Sequence, residues 1–157
     1  MSIEIQLFSE SQVVTHRAEI EELLRLCMTK SFVQEVPDSF YEEKIDALQK
    51  YLRNNQGYCF AAVELKKLAG FLWACELASP FGKVFHILYF AVAPKMQAKG
   101  VGKLLLNSAE AKARELGIPQ MELKASSMNE SALKFYDAQK YQVEQLVLTK
   151  ILGKEEI

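Results

Sequence analysis

The sequence predicts a mixed α/β domain, one central sheet flanked by helices, and three observations predict it. Residues 85–93 (FHILYFAVA) form a nearly continuous apolar run between the turn Ser79-Pro80-Phe81-Gly82 and Pro94, the pattern of a strand buried on both faces. Residues 100–116 then place Val101, Leu104, Leu105, Ala109, Ala113 and Leu116 at helical spacing and stop at Gly117 and Pro119. Upstream, helical stretches precede two apolar, aromatic runs joined by Lys66-Lys67, so helices and strands interleave along the chain.

Taken in order, Ile3, Ile5 and Leu7 alternate with polar residues and predict a short half-buried strand. Over residues 15–30, Ile20, Leu23, Leu24, Cys27 and Met28 recur at helical spacing, which predicts a first amphipathic helix. Pro37 interrupts the pattern, and Asp38 or Ser39 can cap a second helix. Phe40, Tyr41, Ile45, Leu48, Tyr51 and Leu52 carry that helix to about residue 53. Residues 58–65 and 69–77 read as an antiparallel hairpin, and residues 85–93 as the central strand. After the helix at 100–116, Met121, Leu123 and Ala125 alternate as a further strand. Residues 129–139 form a short helix, and residues 141–152, with Val143, Leu146 and Leu148, a last strand. The order is β-α-α-β-β-β-α-β-α-β. Short turns make the early strands antiparallel, while the helix from Gly100 is long enough to cross the sheet and join parallel strands with a right-handed connection.

The 157 residues fit a single domain over 1–157, large enough to bury a core without disulfides or metals. Lys and Arg number 19 against 20 Asp and Glu, a formal charge of -1, so nucleic acid is not an expected partner and any polyanion site must be local. Cys27, Cys59 and Cys75 are odd in number and lack paired spacing, so neither a disulfide framework nor a metal site is expected. The start MSIEIQLFSE has no basic segment leading into an apolar run, and no stretch of about 18 apolar residues occurs. The expectations are therefore no export signal, no membrane partner and a cytoplasmic setting, with a homodimer left open.

Chemistry concentrates after the central strand, where Gln97-Ala98-Lys99-Gly100-Val101-Gly102-Lys103 runs into a helix. The first turn of a helix carries unpaired amides and a positive dipole end, and two glycines let an anion approach the backbone. Lys95, Lys99 and Lys103 add positive charge that the overall balance conceals. A pyrophosphate suits such a turn. A Walker loop would need Gly at 97 and Ser or Thr at 104, where Gln97 and Leu104 stand, and a dinucleotide turn would need a small residue in place of Leu105. The bland alternative is a tight strand-to-helix turn with a solvated basic face.

Gln97, Gly100 and Gly102 match the Gln/Arg-x-x-Gly-x-Gly/Ala signature of the GNAT superfamily of acyl-coenzyme A-dependent N-acetyltransferases, which the sequence resembles over residues 57–145. The resemblance includes the preceding strand Phe90-Ala91-Val92-Ala93-Pro94 and the segment Asn129-Glu130-Ser131-Ala132-Leu133-Lys134-Phe135-Tyr136, where Asn129, Ala132 and Tyr136 fall at the family's Asn, Ala and Tyr. It implies a GNAT-like mixed sheet with splayed central strands and acetyl-CoA as acyl donor. Pyrophosphate would lie on the amides of Ala98, Lys99, Gly100, Val101, Gly102 and Lys103, and the pantetheine arm would pair with the backbone of Phe90, Ala91 and Val92, with Asn129 bonding it from the other side. The thioester would sit where the central strand and the strand at 121–125 part, a bulge near residues 89–91 making the gap.

An attacking amine must lose its proton, so a base or water chain is required. The family's carboxylate position near the start of the central strand falls on His86, which is the candidate base; a packed histidine at a strand end is the competing reading. Glu76 is the fallback. Tyr136 would stabilise or protonate the departing thiolate, and a strand amide near Val92 would meet the charge on the thioester oxygen. The family's Gly-Phe pair after this tyrosine is Lys140-Tyr141 here, which implies a different turn. Acceptor specificity would reside at residues 28–40 and 77–83. The aromatic and acidic side chains there and in the adjoining helix, Phe32, Glu35, Asp38, Phe40, Tyr41, Glu42 and Glu43, suit a cationic amine. The implied activity is acetyl transfer from acetyl-CoA to a primary amine of a small molecule or peptide, by direct attack in a ternary complex; the alternative is a non-catalytic acyl-CoA-binding sensor or subunit.

Overall fold

Period-two alternation and short turns between residues 57 and 92 build the antiparallel centre of a five-stranded mixed sheet, ordered β1-β2-β3-β4-β5, in the computed structural model, which describes residues 2–153. The elements are β1 Glu4–Phe8, α1 Glu10–Thr15, α2 Arg17–Ser31, α3 Asp38–Arg53, β2 Gly57–Glu64, β3 Lys67–Ser79, β4 Gly82–Val92, a 3-10 helix Pro94–Lys99, α4 Val101–Glu115, β5 Met121–Leu123 and α5 Glu130–Ala138. Alternate residues of the inner strands serve two cores. Cys59, Ala61, Phe71, Trp73 and Ala91 pack with α1, α2 and α3, whereas Phe60, Ala62, Leu72, Phe85 and Ile87 pack with Val101, Leu105, Leu106 and Ala109 of α4. Burial of Leu105 and Leu106 is complete and contributes about 1.5–3 kcal/mol each. Gly70 makes this packing close: a Cβ there would lie 3.0 Å from the Ala91 carbonyl oxygen and 3.1 Å from Leu105 Cδ1.

The helix expected at residues 15–30 forms as α2, and a helix the sequence reading did not assign, α1, precedes it, begun by a reciprocal capping box of Ser9 and Gln12. His16 then breaks the helical path at φ -100° and ψ 16°, with its ring stacked on Phe8 at 5.0 Å. The strand expected at residues 141–152 does not form: no strand is present there, and Leu148 and Ile151 are 89% and 96% exposed.

The pairing that positions the site is that of β4. On one side β4 pairs with β3 along its length, with Trp73 opposite Tyr89 and Ala74 opposite Ile87, so Leu88 is an extra residue. This bulge lies just before the expected residues 89–91. On the other side β4 pairs in parallel with β5 at Phe85, His86 and Ile87 alone. From Leu88 onward that edge of β4 is open, which is the splaying expected of the central strands.

Candidate functional site

The direction of each polar group on the open edge is fixed by one hydrogen bond. The Ala93 amide donates to the Ala69 carbonyl at 2.8 Å, across to β3. Antiparallel pairing alternates, so Ala91 and Ala93 point their amides and carbonyls at β3, and Phe90 and Val92 point theirs into the gap. Ala91 therefore offers no main-chain group on the gap side, a correction to the expected set. Gln97 donates its Nε2 to the Val92 carbonyl at 3.2 Å, tying the turn back to the strand. The Phe90 amide points at the thiol of Cys27 on α2. The Phe90 carbonyl and the Val92 amide are the remaining groups of these two residues on that edge.

At the upper end of the gap, Gly100 takes a left-handed conformation, φ 76° and ψ 13°, which glycine adopts without the strain a side chain would bring. The first main-chain bond of α4 runs from the Leu104 amide to the Gly100 carbonyl at 3.1 Å, so the amides of Val101, Gly102 and Lys103 precede the helical ladder. Nothing lies within 4 Å of a Cβ built on Gly100, leaving the approach open. Gly102 is different: its Cβ position is 3.5 Å from the Phe135 ring and 3.7 Å from Phe90, so it packs beneath the wall of the gap. Gln97, Ala98, Lys99 and Lys103 are exposed around the turn.

Helix α5 closes the other side. Asn129 caps it, its Oδ1 accepting from the Ala132 amide at 3.2 Å and the Ser131 hydroxyl at 3.1 Å. A ligand bond from Asn129 therefore falls to its Nδ2 donor. The Tyr136 ring lies 6.4 Å from Phe90 and 5.8 Å from Tyr141. Burial pushes its phenol well above the ordinary range, and the Cys27 sulfur adds to the rise. It therefore stays protonated at neutral pH. The same neighbourhood raises Tyr89, by burial and then by Cys27, while Cys27 itself is raised by burial against the opposing effect of the Phe90 amide. Cys27 and Tyr89 thus share the gap with Tyr136. Sequence reading left Cys27 in the apolar stripe of a helix, since nothing local signals that α2 crosses the open part of β4.

Lys140 supplies what the missing glycine would. It adopts a left-handed φ of 71°, and the Tyr141 amide bonds the Tyr136 carbonyl at 2.9 Å. The backbone there takes a conformation that glycine adopts freely, at the cost of a strained lysine. Tyr141 then donates its hydroxyl to Glu110 at 2.9 Å.

The two candidate bases occupy opposite faces of the sheet. His86 stands opposite Cys75 on the side of α1, α2 and α3, the side from which Cys27 reaches the gap. Its Nδ1 lies 2.8 Å from Glu122 Oε2 of β5. Glu76 stands opposite Phe85 on the α4 side, where Tyr58 donates to it at 3.4 Å and Lys83 lies at 3.5 Å. Among the acidic residues near the expected acceptor region, Asp38 is already paired with Arg25 at 2.9 Å. Among the described residues no cluster of His, Cys, Asp and Glu could hold a metal.

The model of the acetyltransferase (GNAT) family matches residues 17–141. No curated protein matches the chain at a significant level. Solved structures that match include a GCN5-related N-acetyltransferase from Ralstonia eutropha, with 18% identity, TM-score 0.78 and coverage of 97% of this chain and 100% of that one. An aminoglycoside acetyltransferase from an uncultured soil metagenomic sample, in complex with sisomicin, has 22% identity and TM-score 0.73 over 98% of this chain and 97% of the other. A protein from Clostridium acetobutylicum described as a predicted acetyltransferase, with acetyl-CoA, has 15% identity and TM-score 0.75 over 96% of both chains.

Proposed function

Because the chain belongs to the acetyltransferase (GNAT) family, we propose that it transfers acetyl from acetyl-CoA to a primary amine of a small molecule or peptide, by direct attack in a ternary complex. The observation that carries this reading is the alignment of three features along one open strand edge. The amides of Val101, Gly102 and Lys103 that precede the helical ladder stand at its top, the Val92 amide and Phe90 carbonyl along it, and the Tyr136 ring beside Phe90.

Acetyl-CoA supplies an activated acetyl thioester. The turn from Gln97 to Lys103 holds the pyrophosphate through its amides and the helix dipole. Val92 and Phe90 hold the pantetheine arm by strand-like bonds, and Asn129 Nδ2 donates from across the gap. A strand amide near Val92 meets the charge building on the thioester oxygen. Tyr136 donates its phenolic proton to the sulfur as the carbon–sulfur bond breaks. His86, on the same face as Cys27 and oriented by Glu122, takes the proton from the acceptor amine directly or through water. Glu76 is the weaker candidate, because it faces the other layer.

The acceptor is a cationic amine, suited by exposed Glu35, Glu42 and Glu43 beside Phe32 and Phe40. Aminoglycosides are the first class to try, since one structural neighbour carries sisomicin. The test is thiol release from acetyl-CoA with a panel of amines. Absence of release with every amine, combined with a cofactor-induced rise in Tm, would leave a non-catalytic binder instead.

A further inference from the structure

Of the two amides that β4 turns into the gap, one already has a partner within the chain. The Phe90 amide meets the thiol of Cys27, whereas the Val92 amide, two residues nearer the glycine turn, does not. Helix α2 packs across β4 at this point, and half-buried Cys27 and Tyr89 lie against the core on the α1, α2 and α3 side. The Phe90 ring turns to the opposite layer, 5.9 Å from Phe135 and 6.4 Å from Tyr136. Burial, and then the Cys27 sulfur, raises the phenols of both Tyr89 and Tyr136, so the thiol and the two tyrosines converge on one place. Just beyond it, β5 rejoins β4 at Ile87. The gap is thus open toward the glycine turn and closed at its far end by Cys27, Tyr89 and Tyr136.

That closure bears on the length of a bound acyl chain. A cofactor anchored at the glycine turn runs along β4 from Val92 toward Phe90, and its acyl carbons, which follow the sulfur, extend in the same direction. The two gap-facing amides are about 6.6 Å apart at strand rise. With the thioester oxygen met near Val92, an acetyl methyl ends in the space between them. A longer chain reaches the Phe90 amide, where the Cys27 sulfur already stands. Packed surroundings yield little to added methylenes, so the extra carbons displace the thiol or are refused.

We propose that Cys27 sets the acyl-chain length this protein accepts, its side chain closing the gap beyond the thioester carbonyl so that acetyl fits and longer chains do not. The assignment rests on the acyl-CoA reading of the same gap.

Calorimetric titration of the natural chain, Cys27→Ala, Cys27→Ser and Cys27→Leu with CoA, acetyl-CoA and butyryl-CoA tests it, and CoA, which has no acyl carbons, serves as the reference in each. The natural chain should bind butyryl-CoA at least about tenfold more weakly than acetyl-CoA, the scale of discrimination that a closed apolar pocket supplies. Cys27→Ala should bring the two within about threefold, Cys27→Leu should weaken acetyl-CoA by about tenfold relative to CoA, and Cys27→Ser, nearly the same size, should keep the natural ratio. A natural chain that binds butyryl-CoA as tightly as acetyl-CoA overturns the proposal, as does an alanine variant with the natural ratio or a serine variant that loses it. A chain that binds none of the three overturns this proposal and the acyl-CoA reading together. The expected ratios without thiol release to any amine would overturn the transferase reading alone.

Discussion

Replacing each glycine of the cofactor turn by alanine separates the backbone cost of that turn from its binding role. At Gly100, φ is 76° and a Cβ meets nothing within 4 Å, so no neighbour resists the methyl. The cost is that of holding an L-residue left-handed, roughly 1–2 kcal/mol, less about 0.4–1 kcal/mol recovered from the stiffer unfolded chain. The net loss is about 1 kcal/mol, or ~2–4 °C of Tm at this chain length. Gly102 lies inside α4, and its Cβ would rest 3.5 Å from Phe135, an ordinary contact. Alanine there gains about 0.5–1 kcal/mol of helix preference. Stability by urea unfolding should therefore rank Gly102→Ala above the natural chain and Gly100→Ala below it. Affinity for acetyl-CoA should obey a different logic. The Gly100 methyl projects into the open space over the amides and should weaken binding by about tenfold or more, a loss of ~1.4 kcal/mol. The Gly102 methyl points at Phe135 and should change affinity by less than about threefold. Calorimetric titration reads both. Unaltered affinity in Gly100→Ala would remove the turn from the binding site, whatever its effect on stability.

Tyr136→Phe should keep acetyl-CoA affinity and lower kcat by about 100-fold, as loss of a general acid does; equal turnover would remove the hydroxyl from the mechanism. His86→Gln should lower kcat/KM by about 100-fold or more, as loss of a general base does, while Glu76→Gln on the opposite face should leave turnover unchanged; the reverse pattern would exchange their roles. Lys140→Gly relieves a φ of 71° and should stabilise by about 0.5–1 kcal/mol in urea unfolding without altering turnover. Burial raises the Cys59 thiol from 9.0 to about 12, so the folded chain keeps a proton that the unfolded chain releases. Stability should accordingly be intact below pH 9 and fall toward pH 12, and Cys59→Ala should flatten that fall by up to about 1.4 kcal/mol per pH unit.

The parts of the fold legible in the sequence are those that local chemistry dictates. The apolar run around β4, the Gly117 and Pro119 stop of α4 and the glycine turn each declare themselves within a few residues. The capping box of Ser9 and Gln12 was equally local and went unread, because the apolar stripe of α2 dominates the pattern around it. The bulge was legible only to within a residue, from the resemblance: Leu88, Tyr89 and Phe90 are all apolar, and such a run fits either register. The place of Cys27 was not legible, because it depends on how α2 crosses β4. The faces of His86 and Glu76 could have been told apart, since pairing Cys75 with His86 and Glu76 with Phe85 is set by the turn at residues 79–82 once the hairpin register is counted.

The brevity of β5 explains both the open edge of β4 and the exposed arm at residues 145–152. After Leu123 the chain reads Lys124-Ala125-Ser126-Ser127-Met128-Asn129, mostly exposed, and Asn129 caps α5. Alternation stops where these small and polar residues begin, so β5 pairs with β4 for three positions and then turns away. On its inner side this abandons β4 from Leu88 onward and leaves the main chain of Phe90 and Val92 facing a gap. On its outer side it offers too short an edge for the returning chain, which passes Gln120 at Glu144 and continues outward. Lengthening β5 would close the gap from one side and seat the arm from the other. The site and the exposed arm are thus two consequences of where one strand ends, and Lys140 and Tyr141, whose turn packs against Tyr136, join them.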